Sequence, residues 1–199
     1  MLQSLREIPG FLAFTAVFLL LVMTEQTLAL ISLCLMSIGV ALTGFFPFEI
    51  GLYATTVLMS IGFHYFETVN TSLSLQWLSK EEAPHVLGQL ISVKSLVSLI
   101  VYSMVWIFFS VVMLDYTTVY LIFGGTGFVL FLWLWIAFPR FESPIEQHKK
   151  IILRKKYWLY YLLTFFSGAR RQIFMVFAGF MMVEKFGYGA SDIALLYII

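Results

Sequence analysis

Apolar positions along this chain come in long unbroken runs, and polar positions come in short clusters between them. Stretches without Asp, Glu, Lys or Arg cover 8–24, 26–48, 50–66, 95–114 and 116–139, and a further apolar tract covers 157–183. A helix needs roughly 20 apolar residues to cross the hydrocarbon core of a bilayer. Allowing for internal charges, the pattern predicts spanning helices over 8–23, 26–46, 51–77, 84–111, 117–138 and 157–183. A seventh starts near Ala190 and stops at Ile199 without a cap, a polar flank or enough length to cross. The first is short and opens at Ile8-Pro9-Gly10, where a proline suits a first helical turn. The expected fold class is therefore all-α, a polytopic transmembrane bundle of about six full spans plus a truncated seventh. The expectation includes a longer chain of which this is a part, with Met1 as an internal methionine. Residues 1–10 carry one Arg and no cleavage pattern of a signal peptide.

Composition narrows the class. Hydrophobic residues make up 61% and charged residues 12%, with a mean hydropathy of +0.94. A soluble domain covers its surface with about 25% charged residues, so a soluble fold is excluded, and so are disorder and a collagen-like rod. The 21 Phe, 10 Tyr and 5 Trp suit lipid-facing and interfacial positions. Cys34 is the only cysteine, so no intrachain disulfide forms. A net charge of +1 offers no global basic field for nucleic acid.

Charge position then predicts orientation, because cytoplasmic loops carry the excess of Lys and Arg. The segment 139–156 holds Arg140, Lys149, Lys150, Arg154, Lys155 and Lys156, half of the twelve cations. The turns at 47–50 and 112–116 have none, and the loop 78–83 has Lys80. Alternation places 139–156 and 78–83 on the cytoplasmic side of the plasma (inner) membrane. Trp77, Trp133, Trp135 and Trp158 then lie near the inner interface and Trp106 toward the outer one. With Pro139 and Pro144 and the longest polar stretch, 139–156 reads as a linker. It separates an N-terminal bundle, 1–138, from the start of a C-terminal one, 157–199.

An ionisable group inside the bilayer costs at least about 2.5–3.5 kcal/mol on insertion scales, so each needs a reason. Three helices carry such groups. In the third span, His64 and Glu67 share a face, which Thr71 and Ser74 continue with Asn70 beside it. The stripe reads as the lining of a water-filled cavity or as helix–helix glue, and a carboxyl group is the costlier glue. In the fourth span stand Lys94, Ser95, Ser98 and Tyr102. The loop near residue 81 makes these two spans an antiparallel hairpin. Glu67 and Lys94 then fall at nearly equal depth, which makes them a candidate intramembrane ion pair. Lys94 lies about ten residues into its helix, roughly 15 Å at 1.5 Å per residue, too deep for snorkelling alone. The sixth span carries Arg170 and Arg171, followed by Gln172, near its midpoint. Two guanidinium groups there suit an anion or carboxylate clamp. A zinc site at His64 and Glu67 lacks a third ligand, and no phosphate-binding loop, nucleophile elbow or kinase signature is present. No cofactor and no enzymatic activity is expected.

The segment Leu75-Gln76-Trp77-Leu78-Ser79-Lys80-Glu81-Glu82-Ala83-Pro84-His85-Val86-Leu87-Gly88, the basic loop 139–156 and the uncharged spans 26–46 and 117–138 together resemble the major facilitator superfamily. In that family they correspond to the connection between helices four and five, the linker between six-helix halves, and the peripheral helices three and six. The chain would then hold helices two to seven and the start of eight. The stretch 168–185, with Gly-Ala-Arg-Arg-Gln-Ile-Phe, resembles one branch of these transporters. The family's Gly…Asp-Arg…Gly-Arg-Arg motif between helices two and three is absent, and the turn here reads Met23-Thr24-Glu25-Gln26-Thr27.

The resemblance implies a secondary active transporter that moves a small solute by alternating access, with its site near the midplane. His64, Glu67, Asn70, Thr71, Lys94, Ser98, Arg170, Arg171 and Gln172 would line or lock the pathway. Glu67 or His64 would carry a coupled proton, and the arginines would suit an anionic solute. The alternatives are efflux of amphipathic compounds, suited by the many aromatics and methionines, and a non-transporting membrane scaffold whose buried charges are structural. The expected partners are the solute, the proton, the lipid bilayer and the remainder of the same chain.

Overall fold

The computed structural model describes residues 2–140 and 154–198, with the side chains of 5–10, 12–140, 154–166 and 177–198. Among these residues the chain is all-helical and has no strand. Its helices are α1 (Leu2–Phe11), α2 (Ala16–Leu19), α3 (Glu25–Thr43), α4 (Glu49–Trp77), α5 (Ala83–Ser110), α6 (Tyr116–Ala137), α7 (Trp158–Phe186) and α8 (Ala190–Ile198). Three of them, α3, α5 and α6, are long and apolar enough to cross a membrane.

The ends of α3 to α7 fall within a few residues of the predicted spans. The predicted span over 8–23 differs, because it is not one helix. α1 ends at Phe11, a 3₁₀ turn follows at Leu12–Thr15, and α2 adds a single turn. Pro9 lies inside α1 near its end, not in a first turn. A proline has no N–H to give to the carbonyl four residues back, and its ring crowds that turn. The carbonyl so deprived is that of Leu5, and Ser60 of α4 donates to the next one, that of Arg6. Thr15 gives its one proton to the Leu12 carbonyl at 2.6 Å, so Tyr65 donates to Thr15 at 2.7 Å. The break is thus tied to α4 by two side chains.

The chain divides into two compact units, one of 1–93 with 114–149, the other of 94–113 with 150–199. In the first, α3 packs between α4 and α6, and α1 lies along α4. Its interior is unlike a soluble core. Ser32, Ser37, Thr43, Thr55, Thr56 and Ser60 are buried, as are Gly39, Gly51, Gly62 and Gly124. Large apolar side chains such as Ile50, Leu75, Val129, Trp133 and Ile136 lie exposed. No residue of α5 is buried. Small residues at helix seams and large ones outside is the pattern helices adopt in lipid, where close backbone approach rather than exclusion of oil from water drives packing.

Glycines set the seams. A Cβ on Gly62 would stand 2.5 Å from the Met36 nitrogen and the Ser32 carbonyl oxygen, and one on Gly124 would strike the Ala41 backbone. A Cβ on Gly125, one residue on, meets nothing within 4 Å. Gly62→Val is therefore expected to destabilise the folded protein by roughly 1–3 kcal/mol through overpacking. Gly125→Ala is expected to leave it unchanged or slightly firmer. Thermal unfolding in detergent separates the two, and equal loss in both variants would contradict these seams.

Caps fix where helices begin. The Thr24 hydroxyl accepts from the Thr27 N–H, and Asp115 accepts from the Thr118 N–H at 3.1 Å and its hydroxyl at 2.6 Å. Ser79 and Glu82 bond reciprocally before α5, the capping-box arrangement. The Thr118 bonds hold the Asp115 carboxyl below its ordinary pKa. A depressed carboxyl stabilises its helix above the ordinary carboxylate range and loses that contribution as pH falls through the lowered value. Protection of the Thr118 amide, its exchange relative to an unstructured peptide at the same pH, is expected to fall in acid for the native protein and to be low at every pH in an Asp115→Ala variant.

In the second unit, α7 ends at Gly187 in the left-handed conformation (φ 70°). The N–H groups of Gly187 and Tyr188 bond the Val183 and Met182 carbonyls, the closure that left-handed C-caps provide. Gly189 donates to Asp192 at the start of α8, and Tyr102 of α5 stacks on Tyr197 of α8 with ring centroids 5.2 Å apart.

Candidate functional site

The polar stripe of α4 is built as the sequence spaces it. His64, Glu67, Thr71 and Ser74 follow at intervals of three and four, which keeps them on one side of a helix. Ser60, one turn earlier, extends the stripe and is buried. His64 and Glu67 are half-buried, while Asn70 and Thr71 are exposed. The hydroxyls of Thr68, Thr71 and Ser74 donate to the carbonyls of His64, Glu67 and Asn70, four residues back in the same helix. Their protons are therefore used within α4, and these hydroxyls do not donate across to a neighbouring helix.

α1 completes the surroundings of His64. A Cβ on Gly10 would stand 2.8 Å from the His64 Cε1 and 3.0 Å from its Nε2, so the imidazole lies flush against a backbone that only glycine leaves open. The Phe63 ring meets it edge-on at 5.2 Å. The charged groups that act on His64 are Glu7, Arg6 and Glu67. Arg6 and Glu7 were not legible as site residues, because they lie outside the apolar runs and only the fold brings α1 beside α4. The result is a histidine with carboxylates and a guanidinium nearby, on a helix that is apolar elsewhere. Such a group can take up or release a proton when its neighbours shift.

The remaining predicted residues belong to α5 and α7. Lys94 lies exposed on α5, and Ser98, half-buried, donates to the Lys94 carbonyl at 2.8 Å. Both belong to the second compact unit, whereas Glu67 belongs to the first. α7 runs through Arg170, Arg171 and Gln172, whose side chains lie outside the described residues, as does the segment 141–153. Among the described residues no three His, Cys, Asp or Glu side chains gather as a metal site.

A second polar cluster was missed altogether. Glu25, in the first turn of α3, is only 6% exposed. Its Oε1 accepts from the Gln76 amide at 2.6 Å and from the Ser72 hydroxyl at 3.2 Å, and Gln76 also donates to Ser72 at 3.1 Å. Next to it, the Gln26 amide donates to the Pro139 carbonyl at 2.9 Å, and Trp77 stacks on Phe138. Three helix ends, those of α3, α4 and α6, are thereby fastened where the basic segment departs. Gln76 is nine residues from Glu67, about 180° around the helix at 100° per residue. α4 therefore gives one side to the His64–Glu67 stripe and the opposite side to the clasp. The available signal was Ser72 and Gln76 at a spacing of four, facing an acidic residue at the start of a span.

Searches against protein-family models, curated proteins and solved structures give no match for this chain.

Proposed function

We propose that the chain is part of a secondary transporter of the major facilitator type. In this reading α3, α4, α5, α6 and α7 are spans, the broken α1–α2 segment is the first, and α8 begins the next. Residues 1–138 belong to one helical half and 157–199 to the other, joined by a cytoplasmic linker at 139–156 in the plasma membrane. The observation that carries the proposal is the stripe on α4. His64 and Glu67 are half-buried on a helix otherwise apolar, beside Glu7 and Arg6, and the neighbouring hydroxyls keep their protons within their own helix. The pathway is read as this stripe together with Lys94, Ser98, Arg170, Arg171 and Gln172, with Glu67–Lys94 as an ion pair in one state. The solute carries an anionic group and moves with a proton.

A second reading, a membrane scaffold, is favoured by one feature. In the Glu25 clasp a buried carboxyl group accepts from Ser72 and Gln76 of the neighbouring helix, as a fastening charge would. The discriminating experiment reconstitutes the complete protein in liposomes with a pH-sensitive dye inside. Small organic anions are added outside one at a time, and amphipathic cations form a second panel. Solute-dependent proton entry supports the transporter, and a response to the cations alone moves it to the efflux class. Absence of flux with every solute, together with retained function when Glu67 and Lys94 are exchanged, supports the scaffold.

A further inference from the structure

We propose that the stretch 154–161, at the entry of α7, is a docking surface for anionic phospholipid headgroups. Arg154, Lys155 and Lys156 are successive cations, all exposed, and Lys155–Tyr157 forms a 3₁₀ turn leading into Trp158. No ion pair joins any of the three to a described acidic residue. The backbone N–H of Arg154 donates to the Tyr161 hydroxyl at 3.3 Å, which holds the turn against the start of α7. The first turn of α7 has no side-chain cap, and the 3₁₀ turn leads directly into it, with the Trp158 N–H donating to the Lys155 carbonyl. Immediately beyond, the surface becomes aromatic and then aliphatic. Trp158 is 63% exposed and Tyr160 66% exposed, and Leu159 and Leu163 are also open.

The order of these groups selects the ligand. A phosphate-bearing headgroup meets the cations, its glycerol level meets Trp158 and Tyr160, and its acyl chains run along the leucines. A soluble phosphate would use the cations and leave the aromatics in water, and an acidic peptide would do the same. Only a lipid matches all three levels.

The proposal rests on reading α7 as a span, and the test separates the two. The complete protein, with Trp158 as its sole tryptophan and Phe at the others, is reconstituted in phosphatidylcholine vesicles containing phosphatidylglycerol. Bromine quenchers are placed on the acyl chains of one lipid or of the other. The brominated phosphatidylglycerol is expected to quench Trp158 roughly twofold or more per mole than the brominated phosphatidylcholine. The triple variant R154Q, K155Q, K156Q is expected to bring that ratio to unity. Equal quenching in the starting protein overturns the docking surface alone, as does a preference that survives the triple variant. Quenching by neither lipid overturns the span and the docking surface together. Should the single-tryptophan protein fail to fold, phospholipid bound to the otherwise unaltered protein is measured by mass spectrometry. Phosphatidylglycerol enrichment over the bulk, lost in the triple variant, supports the proposal, and no enrichment overturns it.

Discussion

Liposomes carrying a Glu67→Gln protein are expected to exchange solute across the membrane but no longer to accumulate it against a gradient when the outside is acidified. One pH unit corresponds to about 1.36 kcal/mol, so a carrier moving one proton per solute concentrates it up to about tenfold. The amide keeps the size and hydrogen-bonding reach of the carboxyl group and loses only the change of charge. The loss is therefore expected in accumulation rather than in solute affinity. The position of Glu67 makes this a sharp test. It is half-buried, one helical turn from His64, on the side of α4 opposite the clasp residue Gln76. A change confined to that side should leave the fastening of α3 to α4 intact. Tenfold accumulation retained by the variant would remove Glu67 as the proton carrier, and His64, seated against Gly10, would be the next residue to substitute.

The second large effect is expected on stability. Glu25→Ala removes the acceptor of two hydrogen bonds, from Gln76 and Ser72, at a site almost closed to solvent. Hydrogen bonds to a charged group contribute about 1.5–3 kcal/mol, and leaving buried donors without a partner costs a similar amount. Those within a bilayer average lower, near 0.6 kcal/mol, because the unfolded chain also finds partners there. Glu25 lies in the first turn of its helix, where the free N–H groups favour a negative side chain, so the larger range applies. The expected loss is about 1.5–3 kcal/mol, read as an earlier transition in denaturant or heat. Glu25→Gln keeps a carbonyl acceptor and should lose about half as much. An alanine variant as stable as the native protein would show that the clasp fastens nothing. Proton-coupled accumulation unchanged in Glu25→Gln, beside its loss in Glu67→Gln, would assign the two carboxylates to different work.

Much of the helical frame was legible in the sequence because the signals are local. Charge-free runs give helix positions, and the ends of α3 to α7 fall within a few residues of them. Of the three glycines of α6, Gly124 and Gly127 meet α3 at Ala41 and Ser37, whereas a Cβ on Gly125 meets nothing within 4 Å. The predicted continuity of 8–23 failed because hydropathy does not weigh the backbone. Pro9 and Gly10 interrupt a run that is apolar enough, and the helix survives there only as pieces tied to α4.

The candidate site divides along the same line. That His64, Glu67, Thr71 and Ser74 share a side of one helix follows from 3.6 residues per turn, and the sequence determines it alone. Which partner each polar group meets does not, since it depends on what lies beside the helix. Arg6 and Glu7 gather near His64 because α1 packs along α4, and Glu25 reaches Ser72 and Gln76 across about fifty residues of chain. The sequence by itself determined a helical membrane protein with ionisable groups inside its apolar runs, because period and composition are properties of the chain. Only the tertiary structure decided that Glu25 takes donors from Ser72 and Gln76 and that Arg6 and Glu7 stand near His64. Burial and hydrogen-bond partners within about 3 Å arise only when the helices pack.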